Sequence, residues 1–119
     1  ATFSIVDTLA VTIDEALIKN AKNTNVDSAA AETVITVAGI STYTAAFFDF
    51  VIKKGTNVRA GTVYSCHDGT NVEFTETSTV DLGDTSDVSL SVDISGTNMR
   101  LRATTTSDNW IVKSLVRAI

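Results

Sequence analysis

Val88-Ser89-Leu90-Ser91-Val92-Asp93-Ile94-Ser95, then Gly96-Thr97-Asn98, then Met99-Arg100-Leu101-Arg102-Ala103, is the stretch that decides the fold. Val88, Leu90, Val92 and Ile94 fall on one side of an extended chain; Ser89, Ser91, Asp93 and Ser95 fall on the other. That period of two predicts a strand with one buried and one wet face. Beyond the turn, Met99, Leu101 and Ala103 face in while Arg100 and Arg102 face out. Gly and Asn tolerate positive φ, so Gly-Thr-Asn between two alternating runs predicts a hairpin.

The same tripeptide recurs at Gly55-Thr56-Asn57 and Gly69-Thr70-Asn71. Each copy separates alternating segments, predicting strands over residues 43–54, 58–66 and 72–79. Phe48, Phe50 and Ile52 share one face of the first, and Phe47, Asp49 and Val51 the other, so this strand is central or covered on both sides. In the next, Val58, Ala60, Tyr64 and Cys66 share a face, and Phe74 continues that sheet. A further strand is expected over residues 33–38, and Asp108-Asn109 makes a turn ahead of a last strand over residues 110–119.

The first third reads two ways. Thr12-Ile13-Asp14-Glu15 has the spacing of a helix capping box ahead of Ala16, Leu17, Ile18 and Ala21. The competing reading, which we prefer, is a strand over residues 3–13 running into a loop. Residues 20–31, rich in Asn, Asp, Ser and Ala, read as loop. The expected fold is an all-β, antiparallel β-sandwich of jelly-roll-like type, with about seven or eight strands and at most one short N-terminal helix.

Composition agrees. The 119 residues are 44% hydrophobic and 19% charged, enough for one domain with a true core. Val, Ile and Thr recur throughout, as pleated sheet favours. Proline is absent, leaving turns to Gly, Asn, Asp and Ser. The net charge of -5 and scattered basic residues provide no footprint for nucleic acid. No run approaches the length of an apolar membrane span. The start lacks a basic leader, and with no initial Met, either that residue was removed or the chain is a piece of a longer protein.

Chemical motifs are sparse. Cys66 and His67 are the only residues of their kinds and, as neighbours in a strand, face opposite ways, which disfavours a nucleophile–base pair. One Cys and one His cannot make a zinc site. Asp81, Asp84 and Asp87 give an oxygen-rich loop that calcium could accept, but the EF-hand spacing is absent and wet Asx-turns are the plainer reading. Glu73 and Glu76 lie three apart on opposite faces of a strand, so they do not converge as a glycosidase pair. No cofactor and no catalytic residue is expected. Tyr43, Tyr64 and Trp110 are the aromatics that could stack on a surface ligand, with core packing as the alternative.

The last strand is apolar on both faces: Ile111, Leu115 and Ile119 on one, Trp110, Val112, Val116 and Ala118 on the other. Such a strand must lie inside a sheet or at a subunit interface about a symmetry axis.

Ala46-Phe47-Phe48-Asp49-Phe50, Arg59-Ala60-Gly61-Thr62-Val63, His67-Asp68-Gly69-Thr70-Asn71-Val72-Glu73-Phe74-Thr75, Gly83-Asp84-Thr85-Ser86-Asp87-Val88, Ser91-Val92-Asp93-Ile94-Ser95-Gly96 and the closing residues 101–119 make the chain resemble a known family. It is similar to the C-terminal domain of tail-fibre-like virion proteins of marine podophages. The resemblance covers residues 29–119, which it implies form a β-sandwich knob. Residues 1–28 would then be an N-terminal strand or attachment segment. It implies a homotrimer in the virion, with Trp110, Ile111, Val112, Leu115, Val116 and Ile119 as interface candidates. The partners it implies are other virion proteins and a bacterial surface receptor, glycan or protein, without nucleic acid or membrane insertion. The function expected is host-surface attachment. The alternatives are a capsid decoration or head-fibre protein clamping coat subunits, and a polysaccharide-binding or depolymerising module.

Overall fold

The structure, a computed structural model, describes residues 9–28 and 30–119. Among these, nine strands form two antiparallel sheets: β1 (Ala10–Ile13), β2 (Ala16–Val26), β3 (Glu32–Ala38), β4 (Ala45–Lys54), β5 (Asn57–His67), β6 (Val72–Ser78), β7 (Val88–Ser95), β8 (Asn98–Thr105) and β9 (Trp110–Ala118). One sheet has six strands in the order β1-β2-β9-β4-β5-β6, and the other has three in the order β3-β8-β7. The all-β, two-sheet expectation therefore holds. The deciding hairpin is β7–β8, with Val88 opposite Thr105 and Ser95 opposite Asn98.

The capping-box reading is overturned. Thr12 and Ile13 are strand, and Asp14-Glu15 forms the hairpin turn between Ile13 of β1 and Ala16 of β2, with Asp14 at φ 53, a left-handed value that Asp tolerates. The loop expected over residues 20–31 is largely β2, which adds a strand to the expected count. Its polar Asn20, Lys22 and Thr24 hid it. They point away from the core, while Leu17 and Val26 are buried and pairing with both β1 and β9 holds the backbone extended. Of the strand expected over residues 3–13, positions 10–13 are strand and residues 3–8 lie outside the described residues.

Two of the three Gly-Thr-Asn turns are true two-residue hairpins. Lys54 pairs with Asn57 around Gly55, Ser95 pairs with Asn98 around Gly96, and both glycines have φ 60. Positive φ at the first central residue is the type II′ signature, whose twist matches the strands. The third turn is longer and is held by Asp68, whose Oδ1 accepts the amides of Thr70 and Asn71 at 2.9 and 2.7 Å.

Cross-strand register decides which faces meet. Phe48 sits between Val116 of β9 and Val63 of β5, and all three are fully buried. Ile52 and Val112 form the next such pair, and Ile35, Val37, Met99 and Leu101 answer from the smaller sheet. Each large side chain so buried contributes roughly 1.5–3 kcal/mol of transfer free energy. On β5 the inward set is Val63 and Ser65, because these oppose Phe48 and Ala46. Val58, Ala60, Tyr64 and Cys66 share the outer face, and Phe74 of β6 continues the sheet as expected, opposite Ser65 on its inner side. Gly61 sits where β6 crosses so closely that a Cβ would strike the Thr77 carbonyl oxygen and Ser78.

Arg59 ties the far edge together. Its guanidinium donates to Thr85 Oγ1 at 2.8 Å and to the Val88 carbonyl at 3.0 Å, and it lies 3.2 Å from Glu76 Oε2. At the opposite corner, Asp108 accepts the Ser28 amide at 2.8 Å and Asp27 accepts the Asn109 amide at 3.0 Å.

Candidate interaction surface

The closing strand β9 is the centre of the large sheet, paired with β2 on one side and β4 on the other. Trp110, Val112, Val116 and Ala118 face inward and are buried in this chain's own core. Trp110, Val112 and Val116 are therefore corrected as interface candidates: the smaller sheet already covers them. Ile111, Leu115 and Ile119 stand on the opposite, outer face, with Leu115 and Ile119 43% and 60% exposed.

That outer face gathers most of the uncovered apolar surface. Leu9, Val11, Ile13 and Ile18 from the β1–β2 hairpin join Leu115, Ile119 and Tyr64 there. These are seven of the ten large hydrophobic residues exposed among the described residues. Among the described residues, three strands pack on the other side of this sheet and none packs on this one. The row Val11, Ile18, Arg117, Phe47, Tyr64 runs across five strands, with the Arg117 guanidinium 5.3 Å from the Phe47 ring centre and 3.7 Å from Asp49. Farther along the strands the face turns basic: Lys22 lies directly opposite Lys113, and Lys53 stands beside them on β4.

The aromatic candidates divide. Trp110 is 2% exposed; its indole donates to Ser107 Oγ at 2.8 Å, and the Lys54 ammonium lies 5.7 Å from its ring centre, so its reading as a stacking platform is corrected. Tyr43 is likewise buried, and its carbonyl accepts from His67 Nε2 at 2.6 Å. Tyr64 is exposed, with its hydroxyl 3.1 Å from Thr77 Oγ1. His67 is a turn staple, because its Nδ1 accepts the Gly69 amide at 2.9 Å while Nε2 donates.

The three loop aspartates act locally. Asp81 accepts from the Thr85 hydroxyl and amide at 2.6 and 2.8 Å, Asp84 from the Ser86 hydroxyl and amide at 2.6 and 2.9 Å, and Asp87 from Ser107 Oγ at 2.7 Å. The hydroxyl bond first, then the amide, holds the Asp81 and Asp84 carboxyls below the usual carboxylate range. They do not converge, and among the described residues no three His, Cys, Asp or Glu side chains are placed to hold a metal ion. Glu73 is exposed on the outer face of β6, while Glu76 faces Arg59 from the other side. On the smaller sheet Asp93 takes a forked pair of bonds from Arg100 at 2.9 and 2.7 Å, which holds its carboxyl low, and a longer one from Arg102.

Asp68 yields a pH prediction. The amides of Asn71 and Thr70 hold its carboxyl down from 3.8 to about 2. A depressed folded-state value means the stabilisation is full above the unfolded value and lost as pH falls through the folded one. The melting-temperature gap between wild type and Asp68→Ala is expected to be constant from pH 7 to 5 and to close between about pH 4 and 2, followed by Trp110 fluorescence. A gap unchanged at pH 2 would contradict it.

These features define the chain as a β-sandwich with one broad, amphipathic sheet face left uncovered by the described residues. No protein-family model and no curated protein matches it. Over 96% of its length the fold is similar to part of a solved tailspike protein, gp49 of Acinetobacter baumannii bacteriophage Fri1, described as a capsular polysaccharide depolymerase, with a TM-score of 0.54 and 14% identity. The match spans 20% of that longer chain. The likeness is one of fold, shared with one part of that tailspike.

The face itself escaped the sequence reading at Leu9, Val11, Ile13, Ile18 and the three lysines. Leu9, Val11 and Ile13 do alternate, which was the available signal. The pairing of Lys22 with Lys113 joins positions distant in the chain and has no local signature.

Proposed function

We propose that the chain is a non-catalytic module of a phage virion fibre or tailspike that assembles as a homotrimer and engages a bacterial surface structure. The observation that carries this is the apolar outer face of the six-stranded sheet. A soluble monomer rarely leaves a contiguous apolar patch of this kind uncovered. The likeness of the fold to a segment of a tailspike supports the setting. The chain's work is presentation and contact, since His67 and most of the described acids are engaged in turns and ion pairs that hold the sandwich together.

Sedimentation at micromolar concentration is the test. A species of three times the 12.6 kDa chain mass is expected. A monomer overturns the assembly. Release of reducing sugar ends from capsular polysaccharide by the isolated chain overturns the non-catalytic reading.

A further inference from the structure

We infer that Lys22, Lys53 and Lys113 form a binding site for a carboxylate-bearing polysaccharide, an inference that rests on the host-surface reading above. The chain has nine basic residues. Six are engaged within the fold. Lys19 donates to the Thr36 carbonyl at 2.6 Å, Lys54 covers Trp110, Arg59 meets Glu76, Arg100 and Arg102 meet Asp93, and Arg117 meets Asp49. The remaining three make no ion pair among the described residues, and they are neighbours.

Lys22 and Lys113 are directly opposed on β2 and β9, Lys113 is opposite Val51 of β4, and Lys53 follows two residues along that strand opposite Ile111. All three are exposed. Like charges directly opposed across strands repel, and among the described residues no carboxylate forms an ion pair with them. In a chain of net charge -5, that unrelieved positive row calls for an anion from outside.

The surroundings select the anion. Half-buried Val51 and Ile111 form an apolar floor between the ammonium groups. The C–H face of a sugar ring lies on such a floor while its carboxylate reaches a lysine. A uronic-acid residue carries a carboxylate and an apolar C–H ring face together, so a short stretch of such a polymer meets the lysines and the floor at once, which the phosphates of a nucleic acid do not. Leu115 of the apolar end stands only two residues from Lys113 on the same face, so the assembly mass of the lysine variant is read alongside its binding.

The test is calorimetric titration of the full chain with oligogalacturonate, neutral dextran and oligothymidylate, for wild type and for Lys22→Gln/Lys53→Gln/Lys113→Gln. Wild type is expected to bind oligogalacturonate, more weakly as salt rises, and not dextran. The triple variant is expected to lose at least tenfold in affinity with Trp110 emission and assembly mass unchanged. Equal binding by the variant, binding to dextran, or tighter binding to oligothymidylate overturns the site. A fall in assembly mass of the variant overturns it too, assigning the lysines to a second copy. A monomer that binds oligogalacturonate through these lysines sinks the trimer and keeps the site. A trimer that does not bind sinks the site alone.

Discussion

The double variant Ile18→Glu/Leu115→Glu is expected to run as a folded monomer where the wild type runs as an assembly. Both side chains are a little under half exposed, at 45% and 43%, on adjacent strands of the large sheet. Neither fills the inter-sheet core, so the fold should lose little, within about 0.5 kcal/mol per position. At an interface the outcome differs. Each carboxylate would have to leave water for an apolar contact without a partner, at a cost of several kcal/mol for an uncompensated buried charge. A penalty of about 3 kcal/mol weakens association by more than a hundredfold. Sedimentation over a concentration series, with Trp110 emission as the check on folding, reads both effects. An unchanged mass would clear this face of any role in assembly.

The largest expected loss of stability comes from Arg59. Its side chain is 11% exposed and Glu76 is 26% exposed, so the pair is largely withdrawn from water. The same guanidinium holds Thr85 and the Val88 carbonyl, and so fastens the 79–87 connection against β5. Arg59→Met leaves Glu76 without a countercharge and those acceptors without a donor. A loss of about 2–4 kcal/mol in unfolding free energy is expected, somewhat below the figure for a fully buried pair because Glu76 retains some water. That is a large part of the 5–15 kcal/mol typical of a domain. Arg59→Met/Glu76→Leu removes both charges and is expected to recover most of it. Urea unfolding of the two variants decides the matter. A double variant no more stable than the single would mean that the bonds to Thr85 and Val88, and not the ion pair, carry the effect.

What could be read in advance follows how local the information is. The β7–β8 hairpin was legible because alternation and turn lie within a few residues of each other. So were β4, β5 and β6, bounded by their Gly-Thr-Asn corners. β2 was not legible, because Asn20, Lys22 and Thr24 are polar for a reason that lies elsewhere in the chain: they form the solvent side of a strand that only β9 and β1 hold in place. The capping-box spacing at Thr12 was locally valid and was overruled by that pairing. The inward face of β5 was ambiguous for a similar reason. Both parities carry apolar residues, and the register against Phe48 breaks the tie. Among the interface candidates, sequence placed Ile111, Leu115 and Ile119 apart from Trp110, Val112 and Val116, but which set met the chain's own second sheet depended on the packing of β3, β8 and β7.

The order β1-β2-β9-β4-β5-β6 bears on biosynthesis. β9 follows the other eight described strands in the chain and divides the large sheet, so a ribosome that has not yet made residues 110–118 carries two half-sheets, β1-β2 and β4-β5-β6, with no other described strand to join them. Each displays a bare flank of unpaired amides and carbonyls, the kind of surface that quality-control proteases and chaperones act upon. Copies cut short before residue 110 therefore lack the joined sheet on which the proposed assembly through its outer face depends.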